Sequence, residues 1–423
     1  MLNNTFLFFL LYSLYIRGAN KSVCKDNCQY FSMKETSLYI HIPYCRSKCI
    51  YCDFYSGGER IAQWPRLLDA LCCEMQLRKN ELSVLPSSIY IGGGTPSLMP
   101  VGILKSLVGK IKEIFGCEGM IEEFTIEVNP DDVTENSCEA WKDCGVTRVS
   151  MGVQSFQDNE LSCIGRRHNS DCALKGFEIL KNVFDNISID LMFGLPNQSM
   201  ESWKSTVETA VSLAPSHISA YSLMFEEGTA LTVLKNERRL LLPSEEDCIE
   251  MWNYLSERLA KAGYRQYEIS NYSLPGMESL HNSRYWDGSP YLGIGPSAHS
   301  YDGARTRRFN PPDINGYLNC YSPFTDDQVC TDEEAYGSKK FYNEEFLSDE
   351  ELLEEMILTR MRTRNGIKLA EVEAKFGKDA SERIMRNAAK HLLSGVLEEH
   401  KGSIVLTKKG VMICDDIILD LAL

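Results

Sequence analysis

The chain has 423 residues, of which 43% are hydrophobic and 24% charged, and its formal net charge is −15 at pH 7. This length allows a barrel-sized domain and one smaller unit, each with its own core. Nucleic acids and anionic membranes are polyanions, so the negative charge argues against both as main partners and favours chemistry on small molecules. The 16 cysteines are spread irregularly, unlike those of a secreted disulfide scaffold, which indicates a reducing compartment.

The first 32 residues differ in composition from the rest of the chain. Residues 6–16 form an apolar run that is too short to span a bilayer, and Arg17, Lys21 and Lys25 follow it before any acidic residue has occurred. This pattern predicts an organelle presequence, mitochondrial or plastid, and hence a protein of the organelle interior. The alternative is a start at Met33 and a cytoplasmic protein.

From residue 39 to about residue 224, apolar strand-like runs alternate with helix-like stretches, which predicts repeated β/α units around a parallel sheet. The predicted strands are 38–42, 88–91, 123–128, 147–153, 187–192 and 217–223. The predicted helices are 61–82, 101–115, 134–144, 170–183 and 200–213. Six strands are too few for a complete eight-stranded barrel, so the predicted fold class is α/β with a partial, six-unit TIM-like barrel. Sites in such folds lie at the carboxyl ends of the strands.

Three cysteines follow the first predicted strand with C-x3-C-x2-C spacing: Cys45, Cys49 and Cys52. Thiolates are the soft ligands that iron–sulfur clusters require. Three ligands for the four irons of a cubane cluster leave one iron open, and an open iron can chelate the amino and carboxylate groups of a methionine. The alternative is a chance spacing of thiols that pack in a core as small hydrophobes.

The cysteine loop resembles that of the radical S-adenosylmethionine (SAM) proteins. The segment GGGTP, which begins at Gly92, resembles one that the coproporphyrinogen dehydrogenase family of that superfamily places beside the SAM amino group, and the segments IEVNP, GVQSF, GRR and DLMFGLP continue the resemblance in order. It implies a [4Fe–4S] cluster on the three cysteines, SAM beside it, reduction of SAM by the cluster, and a small electron-donor protein as partner. The residues that it assigns to SAM are Tyr39, Gly93, Gly94, Thr95, Glu127, Gln154, Arg166 and Asp190. Taken singly, the carboxylates could instead cap turns and Arg166 could be a surface charge.

Two groups within this family differ at two places in the chain. The coproporphyrinogen dehydrogenases carry a fourth cysteine two positions after the third, where this sequence has Phe54, which we count among the cofactor-site residues. The HemW-type haem (heme) chaperones lack that cysteine and carry an H-N-x-x-Y-W motif, which is present here from His281 to Trp286. The resemblance is therefore to the HemW-type proteins, from about residue 38 to the end of the chain.

The H-N-x-x-Y-W motif combines an imidazole, an amide and two aromatic surfaces, which suits iron ligation and contact with a flat macrocycle. The resemblance implies haem as a further ligand, with His281 as the candidate haem contact and His299 as a weaker one. Either imidazole could instead be a core histidine that is hydrogen-bonded to its neighbours.

We divide the chain into a presequence (1–32), a radical SAM partial barrel (33–235), a barrel extension with the H-N-x-x-Y-W motif (236–310), a connector (311–345) and a C-terminal domain (346–423). Residues 229–242 are interpreted as a connection between helices. Two apolar helical stripes and a hairpin in the C-terminal domain resemble a winged helix. Residues 349–423 contain 14 acids and 12 Lys and Arg, which favours a cap or docking domain over DNA binding.

Three functions fit these features. The first is a haem chaperone on a radical SAM scaffold, which passes haem to an acceptor haemoprotein and docks only transiently at a membrane-bound acceptor, without a stable membrane span. The second is an oxygen-independent coproporphyrinogen III oxidase. The third is a radical SAM enzyme with an unrelated substrate. The scaffold is able in principle to cleave SAM in all three.

Overall fold

The structure is a computed structural model and describes residues 35–58, 61–119, 121–321 and 340–423. The predicted presequence (1–32) lies outside the described residues. The strands, in chain order, are β1 (Thr36–Ile42), β2 (Tyr44–Cys45), β3 (Gly57–Gly58), β4 (Pro86–Gly93), β5 (Glu123–Val128), β6 (Arg148–Gln154), β7 (Asn186–Phe193), β8 (His217–Ser222), β9 (Arg265–Gln266), β10 (Asn271–Ser273), β11 (Tyr291–Ile294), β12 (His299–Tyr301), β13 (Thr306–Phe309), β14 (Asn343–Phe346), β15 (Ile367–Lys368), β16 (Leu397–His400) and β17 (Ser403–Leu406).

The α-helices lie mostly between these strands. In chain order they are α1 (Trp64–Arg78), α2 (Val101–Phe115), α3 (Glu135–Asp143), α4 (Asp158–Cys163), α5 (Ser170–Lys181), α6 (Met200–Leu213), α7 (Ala230–Asn236), α8 (Glu245–Lys261), α9 (Leu280–Asp287), α10 (Ile314–Cys320), α11 (Asp349–Met361), α12 (Leu369–Phe376), α13 (Lys378–Leu393), α14 (Lys408–Val411) and α15 (Cys414–Ala422).

The main sheet has 12 strands in the order β14-β13-β12-β11-β1-β4-β5-β6-β7-β8-β10-β9. The six predicted strands are confirmed, and each pairs in parallel with its neighbour from β1 through β4 to β8. A seventh parallel strand, β11, pairs with β1 and was not predicted. It has only 4 residues and includes Gly293, which weakens the strand pattern in the sequence. That glycine is required, because a side chain there would overlap the backbone of His299.

Residues alternate along the parallel strands between an apolar and a polar environment, as the two-residue period of a strand requires. One face contributes the main hydrophobic core with the surrounding helices. The opposite, inner face is polar although it is almost fully buried, and its members include Ser37, Ser88, Thr125, Ser150, Ser188 and Ser219. Hydrogen bonds join this face across strands, for example from the Ser88 hydroxyl to the Ser37 hydroxyl at 2.9 Å.

Two segments that were interpreted as connections contain regular structure. Residues 229–242 include α7, which Thr229 caps by accepting a hydrogen bond from the Thr232 N–H at 3.2 Å, so the expectation of a simple connection was wrong. The connector 311–345 contains α10, whose Tyr317 is fully buried, and the edge strand β14. Residues 322–339 lie outside the described part of the chain.

The C-terminal part is a smaller unit with its own core. A sheet of three strands, in the order β15-β17-β16, packs with helices α11 to α15 around a separate apolar cluster. The predicted hairpin is β16 and β17, which pair antiparallel. This is the helix and hairpin arrangement of a winged helix.

Gly94 allows the turn after β4 to approach the chain before the cysteines. Its N–H donates to the Ile42 carbonyl at 2.7 Å, and an added Cβ would lie 2.5 Å from the Tyr44 carbonyl oxygen. We expect Gly94→Ala to lower the free energy of unfolding by about 1–3 kcal/mol, because that backbone would have to move. Gly109→Ala, at an open position of α2, is the control and should raise it by about 0.5–1 kcal/mol. Urea unfolding measures both, and equal stability of the Gly94 variant and the unmodified protein would contradict the prediction.

Candidate functional site

A cavity of about 430 Å³ lies at the carboxyl ends of the parallel strands and reaches the C-terminal domain. Most of the residues that were predicted from the sequence to bind cofactors line it together. They are Cys45, Cys49, Cys52, Phe54, Gly93, Gly94, Thr95, Glu127, Gln154, Arg166 and Asp190. Tyr39, His281 and His299 are not among its lining residues.

The cysteine loop is held at both ends by the strands β2 and β3, which pair in parallel. All three cysteines are free thiols. The Thr95 hydroxyl donates to the Cys45 sulfur at 3.3 Å, and Arg166 Nη1 donates to the Cys49 sulfur at 3.4 Å. Burial raises the pKa of Cys52 to about 12, and the charges of Cys45 and Cys49 contribute to this shift, so the three sulfurs lie in one electrostatic environment.

This donor set fits a cubane cluster better than a single metal ion. In a cubane each thiolate binds a different iron, so the sulfurs need not converge on one point. Among the described residues, no group of three His, Cys, Asp or Glu side chains is placed to hold one ion. The hydrogen bonds from Thr95 and Arg166 suit thiolates, because donors to sulfur stabilise its charged form.

Glu127 lies beside the glycine turn at the end of β5. Its Oε1 accepts a hydrogen bond from the Tyr90 hydroxyl at 2.8 Å, and its Oε2 accepts one from the Gly93 N–H at 3.2 Å. Burial raises the pKa of this carboxyl to about 7. A bound ammonium group would offset that cost, since an opposite charge favours the ionised carboxylate.

Asp190 carries an unsatisfied oxygen in the cavity wall. Its Oδ1 accepts from the Ser150 hydroxyl at 3.3 Å, whereas its buried Oδ2 has no hydrogen-bond partner in the described part of the chain. Buried polar atoms are nearly always satisfied, so this oxygen fits a ligand that brings a donor such as a ribose hydroxyl. Gln154 lines the same wall with a left-handed backbone, at φ 69°.

Arg166 is not an isolated surface charge. Its Nη2 donates to the Asn129 side chain at 2.8 Å and to the Gly152 carbonyl at 2.6 Å. These two bonds and the contact with Cys49 orient the guanidinium at the end of β6, where it faces both the cysteine loop and the cavity.

Tyr39 does not line the cavity and belongs to a hydrogen-bonded chain. Its hydroxyl lies 3.0 Å from His41 Nδ1, and His41 Nε2 lies 2.9 Å from the Tyr55 carbonyl. A carbonyl only accepts, so Nε2 carries the proton and Tyr39 donates to Nδ1. This chain connects β1 to the end of the cysteine loop.

His281 is buried, and both of its ring nitrogens are occupied. Nδ1 lies 3.0 Å from the Ser88 hydroxyl and Nε2 lies 3.0 Å from the Tyr285 hydroxyl. The main-chain N–H of His281 donates to the Glu123 carboxylate. Burial lowers its pKa to about 3, so the ring is neutral. This is the core-histidine alternative, but Tyr285 and Trp286 from the same motif do line the cavity.

His299 packs against its neighbour on the sheet. Its ring stacks on Phe309 at a centroid distance of 5.6 Å and an interplanar angle of 20°. Burial also lowers its pKa, to about 3. His299 is the first residue of β12 and is not among the lining residues of the cavity.

Comparison with known proteins places the chain in a family. Sequence models match for the Radical SAM superfamily over residues 39–210 and for the HemN C-terminal domain over residues 347–413. Heme chaperone HemW of Lactococcus lactis subsp. lactis (strain IL1403) is 35% identical over 382 residues, which are 89% of this chain and 94% of that protein. Heme chaperone HemW of Bacillus subtilis (strain 168) is 33% identical and is covered over 97% of its length. The chain belongs to the HemW family of radical SAM proteins.

The fold of this HemW-family chain also has a close structural counterpart. The coproporphyrinogen III oxidase HemN from Escherichia coli aligns with a TM-score of 0.75 at 20% identity, over 92% of this chain and 90% of that one. At that identity the likeness establishes the fold, namely the radical SAM partial barrel with a smaller C-terminal domain. The HemW relatives are bacterial proteins and lend no support to an organelle presequence. Among the described residues, no helix combines the length and apolarity needed to cross a membrane.

The C-terminal domain of this HemW-family chain contributes a wall to the cavity that was not predicted from the sequence. This wall includes Leu358, Arg362, Met412, Ile413 and Asp415. The sequence carries no local motif for them, because they reach the cavity only through the packing of α11, α14 and α15 against the barrel. Asn129 also lines the cavity and was not predicted, although its position two residues after Glu127 in a strand-end segment was a usable signal.

The raised pKa of Glu127 predicts a pH dependence of stability. Between about 4.5, its ordinary pKa, and about 7, the folded protein binds this proton more than the unfolded chain does. The contribution of Glu127 to the free energy of unfolding therefore falls as pH rises through that range. Glu127→Gln removes this contribution, so the stability of the unmodified protein minus that of the variant should decrease with rising pH. Urea unfolding of cluster-free protein measures it, with Glu122→Gln, at an exposed position, as the control; a difference that grows with pH would refute the assignment.

Proposed function

We propose that this protein is a haem chaperone that binds haem and transfers it to an acceptor haemoprotein. The observation that carries the proposal is the likeness, over 94–97% of their length, to proteins named Heme chaperone HemW. The cavity supports it, because strand-end polar groups, the aromatic side chains of Tyr285 and Trp286, and an apolar C-terminal wall share one enclosure. Haem needs such a mixture, since it is a flat apolar macrocycle with two carboxylates.

Cys45, Cys49 and Cys52 would hold a [4Fe–4S] cluster, and the strand ends beside them would hold SAM. When bound, the pair supplies one-electron reductive chemistry, which the cofactor carries out itself. Arg166 positions Cys49 and presents a guanidinium to a carboxylate, and Glu127 lies ready for an ammonium group. Asp190 and Gln154 suit hydroxyl groups, and the main chain at Gly93 and Gly94 allows close approach.

His281 as a direct haem ligand stays a prediction. To bind iron, its ring would have to free one nitrogen, and so give up the hydrogen bond to Ser88 or the one to Tyr285. In the described arrangement the imidazole instead orients Tyr285, which reaches the cavity. The organelle presequence at residues 1–32 stays a prediction as well, as do the electron-donor partner and the absence of a role in nucleic-acid binding.

The alternative function is that of an oxygen-independent coproporphyrinogen III oxidase, and the shared fold supports it. Phe54 argues against it, because that group carries a fourth cysteine at the matching position. Phe54 lines the cavity beside the cluster loop, so the difference falls within the site.

A side-by-side assay separates the two functions. We expect anaerobically reconstituted protein to bind haem in an absorbance titration and to pass it to an apo-haemoprotein. Given coproporphyrinogen III, SAM and reductant, the same preparation should form no vinyl-bearing product beyond one equivalent. Catalytic turnover of the porphyrinogen, or an absence of haem binding, would refute the chaperone proposal.

Substitution of one cluster ligand tests the cofactor assignment. Cys49→Ser should remove the iron–sulfur absorption and lower bound iron, because serine is a hard and poorly ionised ligand for this cluster. Cys163→Ser, at another half-buried thiol, is the matched control and should keep both. Iron and acid-labile sulfide analysis gives the readout, and a full cluster in the Cys49 variant would overturn the ligand set.

A further inference from the structure

Arg362 is a buried cation on the wall that the C-terminal domain contributes to the cavity. Only 6% of its surface is exposed, and the residue lines the cavity. Its Nη2 lies 2.5 Å from Asp415 Oδ1, and the side chain of that aspartate is 49% exposed. The Arg362 guanidinium is therefore shielded from solvent, while the carboxylate of Asp415 is about half exposed to it.

This asymmetry makes the aspartate a replaceable partner. A half-exposed carboxylate regains hydration when it leaves an ion pair, so its departure costs little. A buried guanidinium cannot regain hydration in this way, so the loss of a nearby anion costs free energy. A carboxylate that enters the cavity can take the place of Asp415, and a guanidinium binds carboxylates through two parallel hydrogen bonds.

The surroundings of Arg362 define what the carboxylate belongs to. The same wall of the cavity includes Leu358, Met412 and Ile413, together with the exposed Asp416. Met412 and Ile413 are 37% and 42% exposed. On the barrel side, an antiparallel bridge joins Glu268 to Thr363, and the buried Glu268 Oε1 has no hydrogen-bond partner among the described residues. Apolar side chains around one buried cation suit a large flat molecule with acidic substituents, because the cation attracts a carboxylate and the apolar groups pack against the ring.

We propose that Arg362 binds a propionate carboxylate of the haem cargo and exchanges Asp415 for it. The inference rests on the proposed function and adds the residue that orients the cargo. Arg166 is the other guanidinium at the cavity, and it is committed to Cys49, Asn129 and Gly152 at the cluster end. Each cation thus has its own carboxylate ligand. Arg166 faces SAM at the cysteine loop, and Arg362 faces haem at the C-terminal wall.

Haem titrations of full-length protein test the exchange. Arg362→Gln should weaken haem binding at least about tenfold, as expected for the loss of a charge-assisted pair. Asp415→Asn should tighten haem binding severalfold, because the competing carboxylate is gone. Iron mesoporphyrin dimethyl ester, which has no free carboxylate, should bind the unmodified protein and both variants alike. Arg364→Gln, two residues away at an exposed position, is the control and should bind haem as the unmodified protein does.

Measurements of SAM binding and of the variants distinguish the possible reasons for a negative result. SAM binding, measured by equilibrium dialysis, should not change in any variant; its loss in Arg362→Gln would assign this cation to the methionyl carboxylate instead. Weaker haem binding in Asp415→Asn would mean that the ion pair merely supports the fold and would overturn the exchange. If Arg362→Gln does not fold, the titrations of Asp415→Asn and of the dimethyl ester still test the exchange. An unmodified protein that binds no haem refutes the proposed function, whereas haem binding that is insensitive to Arg362 refutes this inference alone.

Discussion

The site depends on one close contact between two stretches of main chain. The turn after β4 lies so near the segment before the cysteines that Gly94 donates to Ile42 and Thr95 donates to Tyr44, both at 2.7 Å. The Thr95 side chain then reaches the Cys45 sulfur. A side chain at Gly93 or Gly94 would meet His41 or the Tyr44 backbone, so only glycines allow the contact. The cysteine loop is thus positioned by strand ends, and the predicted cluster and SAM sites share one support.

A second constraint is the polar inner face of the sheet. Small hydroxyl residues fill this interior where a closed barrel commonly packs branched apolar side chains. Helix α9, which contains the H-N-x-x-Y-W motif, packs against this polar face. Glu123 accepts hydrogen bonds from Ser279, Leu280 and His281 and so caps the start of the helix. Arg148, at 1% exposure, also belongs to this face, and two of its nitrogens lack partners among the described residues. Ordered water is the ordinary means of satisfying such groups.

Much of this architecture could be predicted from local patterns. The helices 101–115 and 200–213 were predicted residue for residue, because apolar spacing and a Ser199 cap define their limits. The cysteine, glycine and strand-end motifs predicted residues that do meet in one cavity, because parallel strands bring their carboxyl ends to the same edge. The β11 strand and α7 were missed, since short elements carry weak periodicity. The position of His281 was ambiguous, because a motif gives residue types and does not tell whether a ring nitrogen faces a ligand or Ser88. The C-terminal wall depends on tertiary packing alone.

The cavity has one wall from the barrel and one from a separate C-terminal unit. A bound molecule can therefore affect how the two units are arranged. A molecule that touches both walls favours the arrangement in which they face each other. By reciprocity, a protein that pulls the smaller unit aside lowers the affinity for that molecule by the same free energy. A shift of α14 and α15 relative to the strand ends would then be enough to release such a molecule, without a change in the cluster.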